Sequence, residues 1–547
     1  MKKGFFAIII LIALSSCAGS QQLAQRTIYT QQDSLRGSIG VGRDWWDVKK
    51  YDIHVAVNIP QKTISGFTDI TYSVTIPGNK KMQIDLQEPM LVTKVENLST
   101  GSSPVTYSRD GNVYWLTIPP SAKPQKNNTI RIYFEGKPRT AVTPPWDGGW
   151  IWKTDSLGRP FISVACQGLG ASVWYPCKDH QSDEPDNGAS LTITVPNELT
   201  AVGNGKLAKK QNNPDGTISW QWEVKNPINN YLITPYIGYY KNFTDEFKGE
   251  KGKLELSYWV LDYNLEKAKK HFEIVKPMLG CFENWMGPYP FYEDSYKIVE
   301  APHLGMEHQS AIAYGNDYLN GYHGKDRSGS GWGLNWDFII VHESGHEWFA
   351  NNITAKDIAD MWIHEAFTTY SETLMAQCIN GLKAANEYII GQRRNIRNDK
   401  PIIGHYGINE EGSSDMYDKG ANMLHTIRQV INNDTLFKEL LRGLGKDFYH
   451  QTVTTKQIED YINKKTGKSF NKVFDQYLRT TKIPVLEYKK NGSNIAYRWA
   501  NCVNGFNMPV KLTNGKWLYP TEQFQKISGI ANFEVNPNFY ITVRQIQ

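Results

Sequence analysis

Four residues of this 547-residue chain could do chemistry together: His342, Glu343, His346 and Glu365. His342 and His346 stand four positions apart, so on a helix both imidazoles reach toward one point above the same face. Glu365 can supply a third donor from a second helix. Two imidazoles and a carboxylate, with one position left open, form a donor set for a catalytic Zn²⁺, one ion per chain. Glu343 sits beside the first histidine, at the rim of the same face. A carboxylate there can take a proton from water activated by the metal, so metal-assisted hydrolysis is the expected reaction class.

Two helices must position these groups. Residues 337–351 carry Phe338, Ile339, Val341 and Phe349 among few breakers, which predicts a helix through Asn351 despite Gly345. Residues 361–372 predict a second helix, on which Glu365, Thr369 and Glu372 share a face. Glu372 is then placed to hold a ligand histidine by its other ring nitrogen, the alternative being a solvated surface position. His364 is turned about 100° from Glu365 around the helix, which makes it a poor ligand.

The surrounding chain falls into regimes. Lys2 and Lys3 precede an apolar run over residues 5–14, too short to span a bilayer, so residues 1–16 read as an export signal. Leu14-Ser15-Ser16-Cys17 resembles a bacterial lipoprotein signal, with Cys17 as the lipidated first residue of the mature chain. Residues 17–44, rich in Ser, Gln, Thr and Gly, are expected to be a tether. An exported lipoprotein of the periplasm or cell surface, held to a membrane through its lipid, is the expectation. From about residue 45 to 245, short alternating strands such as residues 51–57, 70–74 and 130–134 are separated by turn residues, giving a β-rich domain. Helical periods dominate residues 246–482, and strands return over 483–547. The fold class expected is multidomain α+β.

After Cys17 five cysteines remain, Cys166, Cys177, Cys281, Cys378 and Cys502. The odd number and the absence of a C-x-x-C pair point to buried thiols rather than a disulfide framework. Sixty basic and 55 acidic residues give a net charge of +5 without a long basic run, which gives no case for nucleic acid.

Upstream of the histidines, Leu304-Gly305-Met306-Glu307-His308 resembles the glycine-methionine-glutamate segment of the aminopeptidase N and leukotriene hydrolase family of zinc metallopeptidases, the gluzincin aminopeptidases. Leu304 and His308 replace the small residue and the asparagine usual there. Cys166-Gln167-Gly168 followed by Trp174-Tyr175-Pro176 resembles the family's β-domain loop. Met416-Tyr417-Asp418-Lys419-Gly420-Ala421 resembles its tyrosine motif. The resemblance spans roughly residues 45–547. It implies an N-terminal β saddle or sandwich, a thermolysin-like, mostly helical catalytic domain and a small C-terminal β-sandwich. It also implies that Gln167, Gly305, Met306 and Glu307 bind substrate, with Glu307 and Gln167 on the free α-amine, and that Tyr417 stabilises the oxyanion while Glu343 is the general base. Without the large helical C-terminal domain of many relatives, an open or partner-covered cleft is expected.

The function implied is removal of N-terminal residues from peptides with a free N-terminus. A thermolysin-like endopeptidase and a non-catalytic peptide-binding lipoprotein are the alternatives, and one branch of the family adds epoxide hydrolysis. Glu307 with Gln167 argues against the first alternative, and Glu343 with Tyr417 against the second. His308 is expected to be structural.

Overall fold

Alternation along the first long strand, Trp46–Asn58, sets up the N-terminal domain. Its buried side chains are Trp46 and Val48, then Tyr51, Ile53, Val55 and Val57. The register slips between Val48 and Lys50, a bulge that turns Lys50 outward and returns Tyr51 to the core. The strand pairs antiparallel with Thr63–Val74 and parallel with Ala189–Pro196 at the middle of an eight-stranded sheet. A four-stranded sheet containing Gly149–Thr154 and Pro160–Ala165 belongs to the same domain.

The computed structural model describes residues 28–78, 81–99, 101–118, 127–530 and 532–547. The expected leader and Cys17 lie outside them. Among the described residues no helix is long and apolar enough to cross a membrane. The expected tether, by contrast, must be shortened at its C-terminal end. Residues 31–37 form a helix closed by a Thr30–Asp33 capping box. Arg43 is fully buried, bonded to Asp85 and to the carbonyls of Arg36 and Ser38. A buried guanidinium with a paired carboxylate fixes its segment, so residues 28–44 are part of the folded body.

The second sheet runs in the order Tyr240–Gly249, Gly252–Leu261, Tyr296–Glu300, Ile312–Tyr314, Gly305–Met306. The expected junction at residue 245 falls inside its first strand, whose whole length pairs with the second, so this sheet begins at Tyr240. Gly305–Met306 is an edge strand, antiparallel to Ile312–Tyr314. The helix Val275–Met286 lies between the second and third of these strands, and the helices after the sheet include a histidine helix Phe338–Gly345, a glutamate helix Trp362–Asn380, then Leu382–Gln392 and Asp418–Ile431. The last strands form a four-stranded sheet and a two-stranded ladder.

Two hydrophobic cores hold these parts. One fills the N-terminal domain but also takes in Val299, Ala301, Met306, Ala311 and Ala313 from the second sheet. The other runs from the helices into the C-terminal strands through Phe474, Tyr477, Trp499 and Phe506. The edge strand carrying Met306 is therefore packed by the neighbouring domain. One cysteine expectation is corrected: Cys281 and Cys378 form a disulfide that ties Val275–Met286 to the end of the glutamate helix. Their separation of 97 residues is invisible to local spacing, and an odd total does not exclude one pair. Cys166 and Cys177 are buried thiols, and Cys502 is a half-buried one.

Candidate active site

Asp337 starts the histidine helix, its side chain accepting hydrogen bonds from the Ile339 and Ile340 amides. The helix ends sooner than its apolar pattern predicts. After Gly345 the chain unwinds, the Asn351 amide returns to the His346 carbonyl, and Phe349 bridges to Ile353. Unwinding turns the Phe349 carbonyl back onto Nδ1 of His346, at 3.0 Å. Thr368 Oγ1 lies 3.1 Å from the same nitrogen. Nδ1 of His342 meets Glu372 Oε1 at 2.8 Å, and the other Glu372 oxygen accepts from the Tyr388 hydroxyl and the Gln392 amide. Glu372 is buried, not solvated. Both imidazoles are thus held by Nδ1, which leaves Nε2 of each facing the same space.

Glu365 fills the third side of that space. Its Oε2 lies 3.6 Å from His342 Nε2 and 3.5 Å from His346 Nε2, buried and without a hydrogen-bond partner. Donor atoms of the three residues lie within 4.8 Å of one another. An orphaned buried carboxylate oxygen between two ring nitrogens is costly unless a cation sits among them, so the trio fits a tetrahedral divalent metal with one position open. The two helices approach this closely because position 345 is glycine: a Cβ there would stand 2.5 Å from Ser371 Oγ. His364 turns away and accepts from the Ala355 amide at 2.7 Å.

The remaining expected residues converge on the same cleft of about 770 Å³. Glu343 lies against the edge strand, where a Cβ on Gly305 would come within 2.7 Å of its Oε1. Only glycine leaves room for that carboxylate. Glu307 lines it as a buried carboxylate, its Oε1 accepting from Gln167 Nε2 at 2.6 Å and from the Tyr231 hydroxyl at 3.0 Å. Oxygens of Glu307 and Glu343 and a nitrogen of His346 lie within 4.8 Å of one another. Across the cleft, the Tyr417 ring stacks beside His342 with centroids 6.0 Å apart. Among the described residues its hydroxyl has no hydrogen-bond partner. Met306 lines the wall. Cys17 lies outside the described residues.

Carboxylates dominate the electrostatics. Burial raises the Glu343 carboxyl above its ordinary range, and the charges of Glu307, Glu365 and Glu372 add to it against the opposing His342. Burial likewise raises Glu307. Burial opposes protonation of His342, yet the facing carboxylates of Glu365 and Glu372 outweigh it and raise that ring to about 10. Burial lowers His346 to about 4. A cleft with this surplus of negative charge is complementary to cations.

Sequence reasoning missed Tyr231, Glu411, Tyr388 and Gln392. Tyr388 and Gln392 stand four apart on Leu382–Gln392, a spacing that has meaning only once that helix is known to cover Glu372. Tyr231 comes from a single 3₁₀ turn, Asn230–Leu232, and Glu411 from an irregular segment, and neither carries a local signal. His308 lies outside the cleft lining, its Nδ1 on the Tyr236 hydroxyl.

Comparison with known proteins gives this arrangement a lineage. The peptidase family M1 domain profile matches residues 263–477 and the peptidase M1 N-terminal domain profile matches residues 48–232. Mouse endoplasmic reticulum aminopeptidase 1 is 24% identical over 309 residues, 54% of this chain and 32% of that protein. Leukotriene A-4 hydrolase of Xenopus laevis is 21% identical over 441 residues, 76% of this chain and 68% of that protein. The chain thus matches about a third of the mouse relative's length. A crystal structure of an M1 zinc metallopeptidase mutant from Deinococcus radiodurans, bound to a Tyr-Ser-Ala substrate, superposes with a TM-score of 0.66 at 19% identity, covering 81% of this chain and 97% of that one. With both of its characteristic domains matched in order, the chain belongs to the M1 peptidase family.

Proposed function

We propose that this protein is a zinc-dependent aminopeptidase that hydrolyses the N-terminal bond of peptides. The observation that carries the reading is one cluster in the cleft: the buried Glu307 carboxylate, bonded to Gln167 and Tyr231, set beside Glu343 and His346. A buried carboxylate facing a cleft is stabilised by a cation, and a peptide's free α-ammonium is the cation that a substrate brings.

His342, His346 and Glu365 would hold the zinc, which when bound polarises water and the substrate carbonyl. Glu307 and Gln167 fix the amine and so measure one residue to the scissile bond. Glu343 removes the proton from the attacking water and returns it to the departing nitrogen, its raised pKa suiting both halves of that exchange. Tyr417, whose hydroxyl is unengaged, donates to the oxygen on which negative charge grows. Glu372 keeps the His342 ring turned to the metal.

Free-amine peptides and their N-acetylated counterparts provide the test, assayed with and without chelator. Free peptides should lose one residue at a time in a chelator-sensitive reaction while blocked ones resist. Internal cleavage of blocked peptides at a similar rate would replace this reading with an endopeptidase. We also propose export and lipidation at Cys17, supported by the Cys281–Cys378 disulfide, a bond favoured in oxidising compartments. A mature protein whose mass shows no lipid would refute the anchor.

A further inference from the structure

The wall between the amine end and the metal centre carries a carboxylate that the reaction does not use. Glu411 lines the cleft together with Gln167, Gly168, Met416 and Tyr417. Among the described residues its carboxylate has neither a hydrogen-bond partner nor an ion pair. Its neighbours are satisfied. Glu410 holds Tyr29 and His405, and the Lys400 ammonium reaches the main-chain carbonyl of Glu411, at 3.4 Å, not the carboxylate. Asn409 fastens this loop by donating to the Gly168 carbonyl at 3.0 Å. Glu411 therefore stands in a fixed loop and faces the cleft.

With the α-amine on Glu307 and the carbonyl between Tyr417 and the metal ligands, the side chain of the substrate's first residue must leave along the wall joining those anchors. Gly168, Glu411 and Met416 form that wall. A Cβ added to Gly168 meets nothing within 4 Å, so there is open space beside it. Met416 offers a flexible apolar surface for a methylene stem. Burial raises the Glu411 carboxyl to about 7, with the charges of Glu365 and Glu307 adding to it against the opposing Lys400, so the ionised form gains from an added cation.

We propose that Glu411 is the counter-ion for a cationic first side chain, which makes peptides beginning with lysine or arginine the preferred substrate class. The inference rests on the aminopeptidase reading of the cleft and adds its selectivity.

The test compares aminoacyl coumarin amides of lysine and norleucine, which share a stem and differ in the terminal ammonium. Zinc-loaded enzyme should favour lysine in kcat/KM by roughly 10–100-fold, the scale of a charge-assisted hydrogen bond. Glu411→Gln should bring the ratio to about 1, and Glu411→Asp should keep part of it, with zinc content checked in each variant. High salt should shrink the wild-type ratio. A wild-type ratio at or below 1, with norleucine and leucine amides hydrolysed, overturns this inference and leaves the aminopeptidase reading standing. An equal loss on both substrates in Glu411→Gln also overturns it, assigning Glu411 to the α-amine. Hydrolysis of no aminoacyl amide overturns both readings.

Discussion

Glu343 and Tyr417 are the residues at which metal binding and chemistry can be separated. Neither belongs to the donor trio, so Glu343→Gln and Tyr417→Phe should both retain zinc by elemental analysis. Glu343→Gln should lower kcat by roughly 10²–10⁴-fold, the usual contribution of a general acid–base group. Tyr417→Phe should lose on the order of 10²–10³-fold, the value of one oxyanion donor. Near-normal turnover in either variant would show its role to be misassigned. At this scale the sequence was legible where function imposes a spacing. His342 and His346 announce themselves because a shared metal demands the i, i+4 relation, and Glu307 because it comes in order before them. Tyr231, bonded to the same Glu307 oxygen as Gln167, was not legible. Its position follows from how one domain packs on another, and no local pattern records that.

Elements were read well in kind and less well in extent. The period of residues 337–351 gave the histidine helix, but not its end at Gly345, because the return of the Asn351 amide to the His346 carbonyl and the Phe349–Ile353 bridge are backbone contacts that a hydrophobic period does not encode. The glutamate helix is buried almost all round from Trp362 to Ala376, so periodicity could place it but not orient it. The disulfide at its far end follows from packing against Val275–Met286. Cys281→Ser with Cys378→Ser should therefore cost about 2–5 kcal/mol, as removal of a bridge closing a long loop does. Urea unfolding, compared with the oxidised wild type, measures it. An unchanged midpoint would mean that the packing alone holds these helices.

Across the whole molecule, the two domains cannot be assigned separate tasks. Glu307 directly follows the edge strand Gly305–Met306, while Gln167 and Tyr231 reach it from the first domain. Met306, next to Glu307 on the edge strand, is packed in the first domain's core. The Glu307 cluster, the proposed amine site, is thus completed by the fold as a whole, which a scan of separate segments sees only as matching motifs in order.

The burial of Glu307 behind Gln167 and Tyr231 also bears on the order in which products depart. In the proposed reaction the released amino acid is held by its amine against Glu307 and Gln167, while the shortened peptide has no such anchor. Under the proposed reaction the peptide must leave first and the amino acid last. The free amino acid should then inhibit competitively against substrate, and the shortened peptide should inhibit noncompetitively, in initial-rate product-inhibition plots. The reverse pattern would mean that the amino acid departs first. An enzyme with this order lets go of its peptide after every cut, so a long substrate should yield the full ladder of truncated intermediates before any chain is consumed.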